Sequence, residues 1–393
     1  MRTDYNKEHE YQRKRHIVWH AFASFCITPK MQEAVLTYFE SPENALAAGA
    51  ADWNTFFRMA EQFGFKAPEK EKIFEVLKRD HEKEYDSLAE KEIRFVIKED
   101  AVYPEKLKTL YGAPLYFYYK GTVPGNEPLI AIIGARNCSP YGSETARRLA
   151  RELAERRIGV ISGLAYGVDK AAHDGALDGG GPTFAVLGCG VDICYPKSNR
   201  VTYDKIISKG GGILSEYPPG TQPLSCFFPQ RNRIIAGLSD GILVTEARKK
   251  SGTLITVSFG LEYGKNIYAV PGRIEDVLSE GCNFLIKEGA KLTNSVSDIL
   301  EDMDFYEKKQ KNSVQKYRNY ENFKNILATN EKIVYASLRL RPKHIDEIQE
   351  ATKLSPEDLS KALHSLCSYG CIKRCGQAYY ALSEEANRFL MER

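Results

Sequence analysis

The stretch Leu129-Ile130-Ala131-Ile132-Ile133-Gly134-Ala135-Arg136-Asn137-Cys138-Ser139-Pro140-Tyr141-Gly142 decides the fold class. Five consecutive apolar residues read as a strand buried on both faces. Glycine then breaks the strand. Ser139 followed by Pro140 marks a helix start, a capping hydroxyl and then a ring suited to the first helical position. The helix it opens, Pro140 to Arg156, carries Ala146, Leu149, Ala150 and Leu153 on one stripe.

The same unit recurs downstream. Strand candidates are Gly159–Ile161, Thr183–Leu187, Gly212–Leu214, Gly241–Val244 and Asn266–Val270, with helices between them. Apolar strands alternating with helices predict an α/β fold, a parallel sheet covered on both faces. Ligands of such sheets bind at the C-terminal strand ends, where the glycine loops fall. Arg136 stands where a dinucleotide-binding G-x-G-x-x-G would place its second glycine, which argues against a nicotinamide dehydrogenase.

The flanks differ in character. Residues 1–91 read as a small helical domain, with Trp19, Phe22, Ala23 and Phe25 on one face, a helix start at Ser41-Pro42-Glu43 and a long amphipathic helix from Glu69 to Leu88. Residues 92–304 form the central domain, entered through a strand near Pro114 to Tyr118. Residues 305–325 read as a polar, lysine-rich linker. Residues 326–393 read as three helices (Glu331–Leu338, Lys343–Thr352, Ser355–Tyr369), then a hairpin, Cys371–Arg374 with Ala378–Leu382, turning at Gly376. That order suggests a winged helix.

The net charge of the 393 residues is only +3, so any attraction to nucleic acid must come from local clusters. The nine cysteines are scattered, and no apolar run reaches membrane-spanning length. The first twenty residues are too charged for a signal peptide, so a cytoplasmic, membrane-free protein is expected. Cys367, Cys371 and Cys375 lack the paired C-x₂-C spacing of structural zinc, so no metal is expected. No cofactor is expected either.

Several residues suit phosphate binding. Gly134, Ser139 and Gly142 place helix amides at a strand end beside Arg136, a bidentate phosphate donor. The Ser162-Gly163 turn, followed by Tyr166 and Asp169, repeats this arrangement. Phe227 and Phe228 offer ring faces to bases, and Arg231, Asn232 and Arg233 follow on a helix. Ser251, Gly252 and Thr253 open another helix. Asp169 and Glu246 read as structural supports, with Glu246 holding Arg231 or Arg233. His173, one turn from Asp169, reads as a packed helix residue rather than half of an acid–base pair. No catalytic residue is assigned.

Together these motifs resemble the DprA (Smf) family of DNA-processing proteins of bacterial natural transformation. The resemblance is carried by Gly134-x-Arg136, Ser162-Gly163-x-Ala165-x-Gly167-x-Asp169, Ala172-His173, Tyr195-Pro196 and Ser215-Glu216. Phe228-Pro229-x-Arg231-Asn232-Arg233, Glu246-Ala247, Ser251-Gly252-Thr253, Val270-Pro271-Gly272 and Gly281-x-Asn283 complete it. It implies an extended Rossmann-like domain that binds and protects single-stranded DNA, forms a homodimer and loads a RecA-type recombinase. It also implies an N-terminal SAM-like or helix-hairpin-helix module, although Ile27-Thr28-Pro29 lacks the glycine turn such hairpins use. Tyr166 stands where some members carry a basic residue.

Two other readings compete. A nucleotide-binding enzyme similar to the lysine-decarboxylase-like phosphoribohydrolases would use Glu246 as catalyst and Arg136 as phosphate anchor, but the Pro-Gly-Gly-x-Gly-Thr signature is missing. A transcription regulator would read duplex DNA with Ser355 to Tyr369, a helix offering only Lys361 and His364 to a groove.

Overall fold

A computed structural model describes residues 2–64, 70–303, 329–338, 342–368, 372–374 and 378–382. The chain divides into two compact units, Met1–Leu300 and Glu301–Arg393.

The first unit is built on a nine-stranded sheet. Its strands are β1 (Arg94–Ile97), β2 (Tyr116–Gly121), β3 (Leu129–Ile133), β4 (Gly159–Ser162), β5 (Thr183–Val186), β6 (Gly212–Ser215), β7 (Gly241–Val244), β8 (Asn266–Ala269) and β9 (Lys291–Leu292). They lie in the order β1-β2-β6-β5-β4-β3-β7-β8-β9. The ladders from β6 through β9 are parallel, and β2 joins β6 antiparallel. Strand order reverses between β3 and β7, the switch point of a doubly wound sheet, where a crevice opens beyond the carboxyl ends.

Helices α1 (Arg2–Ala23), α2 (Pro29–Phe39), α3 (Pro42–Ala47), α4 (Ala50–Gln62), α5 (Lys70–Val76) and α6 (His81–Glu90) precede the sheet. Ser41 caps α3 as its sequence predicts, accepting from the Asn44 amide. The long helix expected from Glu69 to Leu88 is instead two, because Asp80 starts a new helix by accepting from the Lys83 amide. Glu69 lies outside the described residues. These helices share a core with the antiparallel sheet edge: Tyr116 and Tyr118 of β2 join the cluster holding Phe22, Phe25 and Trp53. Phe117 and Tyr119 point the other way, into the cluster around Ile234 and Ile242. That alternation is the two-residue period of a strand buried on both faces.

Next come α7 (Glu105–Lys108), α8 (Pro140–Glu155), α9 (Val168–Asp178), α10 (Arg200–Ser208), α11 (Phe227–Leu238), α12 (Thr253–Glu262) and α13 (Glu280–Lys287). The second unit holds α14 (Thr329–Ser337), α15 (Ile345–Thr352) and α16 (Pro356–Ser368), with β10 (Lys343–His344), β11 (Ile372–Arg374) and β12 (Tyr379–Leu382) in the order β10-β12-β11. Lys343 and His344, expected to begin a helix, pair with β12 as a two-residue strand. The linker, Cys371, Cys375 and Gly376 lie outside the described residues. Among the described residues no helix is long and apolar enough to cross a membrane, and no group of histidine, cysteine, aspartate and glutamate is placed to hold a metal ion.

Two buried histidines give the fold a pH dependence. His173 packs inside α9, its Nδ1 2.7 Å from the Thr183 hydroxyl, and burial drives its pKa down to about 3. His20 lies 2.7 Å from the Tyr118 hydroxyl, and burial, with His81 nearby, lowers it to about 4. Both stay neutral when folded, whereas the unfolded chain takes up protons near pH 6.5. Stability is therefore full above pH 6.5 and falls as pH drops toward the folded values. Each histidine costs at most about 1.4 kcal/mol per unit within that window. Urea unfolding at pH 7 and pH 5 checks this: the stability at pH 5 is expected to be lower, and equal values would contradict it.

Candidate nucleic-acid interface

A cleft of about 620 Å³ opens at the switch point. The loops after β3 and β7 and the first turns of α11 and α12 line it. Its volume suits a nucleotide-sized ligand.

The β3 loop is held by its backbone. The Ala135 amide donates to the Glu246 carbonyl at 2.8 Å, and the Ala135 carbonyl accepts from the Val168 amide at 3.2 Å. Gly167, at φ +73°, packs against the carbonyls of Ala135 and Arg136, where a Cβ would collide. The backbone is thus fixed while the Arg136 side chain stays exposed. Its guanidinium lies 5.1 Å from the ring centroid of Phe228. Phe228 is half-buried, and its ring lies 5.8 Å from that of Tyr195, which is 40% exposed. A cation and two aromatic rings therefore meet at the mouth of the cleft.

The cleft also takes in Gly134, Asn137, Asn232, Arg248, Ser251, Gly252 and Thr253. Thr253 donates to the Gly134 carbonyl at 3.1 Å, joining the two loops. Helix α12 starts without a side-chain cap. The Ser251 hydroxyl is buried there with no hydrogen-bond partner. Exposed Arg248 lines the same cleft. An anion here would meet α12 amides and two arginines.

Other expected site residues take structural positions. Glu246 is 1% exposed and accepts from the Ser139 amide at 2.8 Å and the Ser139 hydroxyl at 2.5 Å. A Cβ at Gly142 would strike the Glu246 carboxyl. The first turn of α8, expected to receive a phosphate at Ser139 and Gly142, is thus filled by the protein's own carboxylate. Glu246 holds neither Arg231 nor Arg233. Glu246→Ala is expected to strand the Ser139 amide and lower stability by about 1–3 kcal/mol. Denaturant unfolding checks this; unchanged stability would contradict the structural role.

Arg233 does not reach the cleft. It is 6% exposed and bonds both Glu216 carboxylate oxygens, at 2.7 and 2.8 Å. Burial of the helix beside it turns the guanidinium inward, where only a paired charge is tolerated. Arg231 lines the cleft floor but is 4% exposed. Its guanidinium donates to the carbonyls of Gly163, at 2.8 Å, and Val186. Burial lowers its pKa to about 10, so it remains charged at neutral pH. Asp169, raised by burial and opposed by Arg231, accepts from the Gly163 and Ala165 amides at 3.1 and 3.3 Å. Asn232 accepts from the Arg231 side chain at 3.2 Å.

Ser162 is fully buried and donates to the Ile132 carbonyl at 2.6 Å, so the Ser162-Gly163 turn supports the cleft from behind. Tyr166 is 50% exposed and is not among the lining residues. Phe227, expected to offer a ring face, is buried and stacks on Tyr217 at 4.1 Å. Sequence reasoning missed Tyr195 and Arg248 as lining residues. Arg248 could have been found from its place in the basic run Arg248-Lys249-Lys250 after β7.

This is a Rossmann-like sheet protein with a basic and aromatic cleft at its switch point. The model of the family described as DNA recombination-mediator protein A matches residues 94–304, and the chain belongs to that family of DNA-processing proteins. It is 45% identical over 207 residues to DNA processing protein DprA of Streptococcus pneumoniae, covering 52% of this chain and 73% of that protein. It is 34% identical over 282 residues to Protein Smf of a Synechocystis species, covering 70% and 69%. The X-ray structure of DprA from Streptococcus pneumoniae superposes with a TM-score of 0.56 at 34% identity, covering 74% of this chain and 96% of that one.

Proposed function

We propose that this chain binds single-stranded DNA in the switch-point cleft and acts, without catalysis, as a mediator that protects the strand and passes it to a RecA-type recombinase during natural transformation. It works in the cytoplasm as a homodimer. Arg136, Phe228, Asn232, Ser251, Gly252 and Thr253 touch the strand, joined by Arg248. Arg231 and Asp169 hold the cleft floor.

The observation that carries the reading is the exposed Arg136 guanidinium over the half-buried Phe228 ring. A phosphate contact and a base platform side by side suit an unpaired strand, because duplex bases hide their faces. Membership of a DNA-processing family supports the same reading. The phosphoribohydrolase reading needs Glu246 at the cleft, and its carboxylate is bound instead to the start of α8. The three helices and three-stranded sheet of the second unit support a winged helix.

Anisotropy of a labelled oligothymidine tests the reading, with unlabelled single strand and duplex as competitors. Displacement by single strand and not by duplex is expected, with no base released from nucleoside monophosphates. Base release together with no strand binding would overturn it in favour of an enzyme.

A further inference from the structure

We infer that Tyr195 is a second base platform, so that the site engages two successive unpaired bases rather than one. This rests on the single-strand reading above. Tyr195 lines the cleft, and its ring leans at 33° to that of Phe228. Tyrosine is amphipathic, and a ring left 40% exposed beside another half-open ring is a surface on which a flat ligand gains apolar contact.

The loop that carries it is built to stay in place. Cys189 and Val191 are buried, and the Cys189 carbonyl accepts from the Ser215 hydroxyl at 2.6 Å. The Val191 carbonyl accepts from the Tyr203 hydroxyl. The Asp192 carboxylate accepts from the Gly220 amide at 2.9 Å. These bonds tie the loop after β5 to β6, α10 and the segment beyond β6. A preorganised ring gives up little freedom when a base covers it.

The order Arg136, Phe228, Tyr195 then forms a short track, with the cation at one end and two rings beyond it. A mononucleotide can use only one ring. A strand can use both, which gives the cleft a preference for oligonucleotides over free nucleotides. Stacking is insensitive to base identity, so the preference concerns chain length rather than sequence.

The test compares wild type, Tyr195→Ala, Tyr195→Phe and Phe228→Ala with a labelled oligothymidine across a salt series. Tyr195→Ala is expected to weaken binding about tenfold with an unchanged salt slope, since no phosphate contact is removed. Tyr195→Phe should bind like wild type. An oligonucleotide of abasic residues should bind wild type and Tyr195→Ala alike. If Phe228→Ala weakens binding while Tyr195→Ala does not, the second platform is wrong and the single-strand reading survives. If wild type binds no oligothymidine, the single-strand reading itself fails. Circular dichroism of each variant separates misfolding from loss of contact.

Discussion

Arg136→Ala is expected to weaken oligothymidine binding by tenfold or more and to reduce the salt slope by about 0.7. A charge-assisted bond to phosphate contributes about 1.5–3 kcal/mol, and each phosphate neutralised on a single strand adds about 0.7 to the slope. Stability should be unaffected, because the side chain is exposed, lies against the Phe228 ring and has the like charge of Arg231 nearby rather than a counter-charge to lose. Arg136→Lys should keep the slope and recover only part of the affinity, since ammonium lacks the planar fork that grips phosphate and lies flat on a ring. Anisotropy titrations at several salt concentrations measure both quantities. Unchanged affinity and slope would remove Arg136 from the interface.

Arg231→Leu should act through the fold. The Arg231 guanidinium crosses behind the cleft and donates to carbonyls at the ends of β4 and β5, with Asp169 beside it. Leucine would leave those carbonyls without their donor and Asp169 buried without its counter-charge. Breaking a buried charge arrangement by removing one partner costs about 3–5 kcal/mol. Urea unfolding should show a loss of that size, and DNA binding should fall with it because the floor of the cleft collapses. A variant as stable as wild type that binds DNA poorly would instead make Arg231 a direct contact.

These two arginines show how far the sequence could be read. Arg136 follows a glycine junction and Arg231 opens a helix, and both are the residue type that phosphate prefers. Local pattern cannot tell which one faces water. Arg136 is freed because neighbouring backbone groups, Ala135 and Gly167, fix the loop without using its side chain. Arg231 and Arg233 are committed by partners distant in sequence, Gly163 and Glu216. The same holds for Glu246, whose partner Ser139 is 107 residues away.

Where the signal is local, it was legible. β3 and β7 span Leu129–Ile133 and Gly241–Val244 as their apolar runs predict, and Ser139 caps α8. The break before α6 also had a local sign, Asp80 three residues ahead of Lys83, hidden within an amphipathic run. The two-residue strand Lys343–His344 had none, being too short to show a period. Tyr195 was legible only as part of a family motif, since its meeting with Phe228 depends on how the β5 loop and α11 converge.

An unpaired strand lying across the Arg136, Phe228 and Tyr195 track would place its bases on the two rings. The most direct measurement is photocrosslinking of an oligonucleotide carrying 5-iododeoxyuridine, with the attached peptides identified by mass spectrometry. Crosslinks at Phe228 and Tyr195, suppressed by excess unlabelled oligothymidine, are the predicted result. Crosslinks confined to the second unit or to α1–α6, with none at the switch-point cleft, would contradict it.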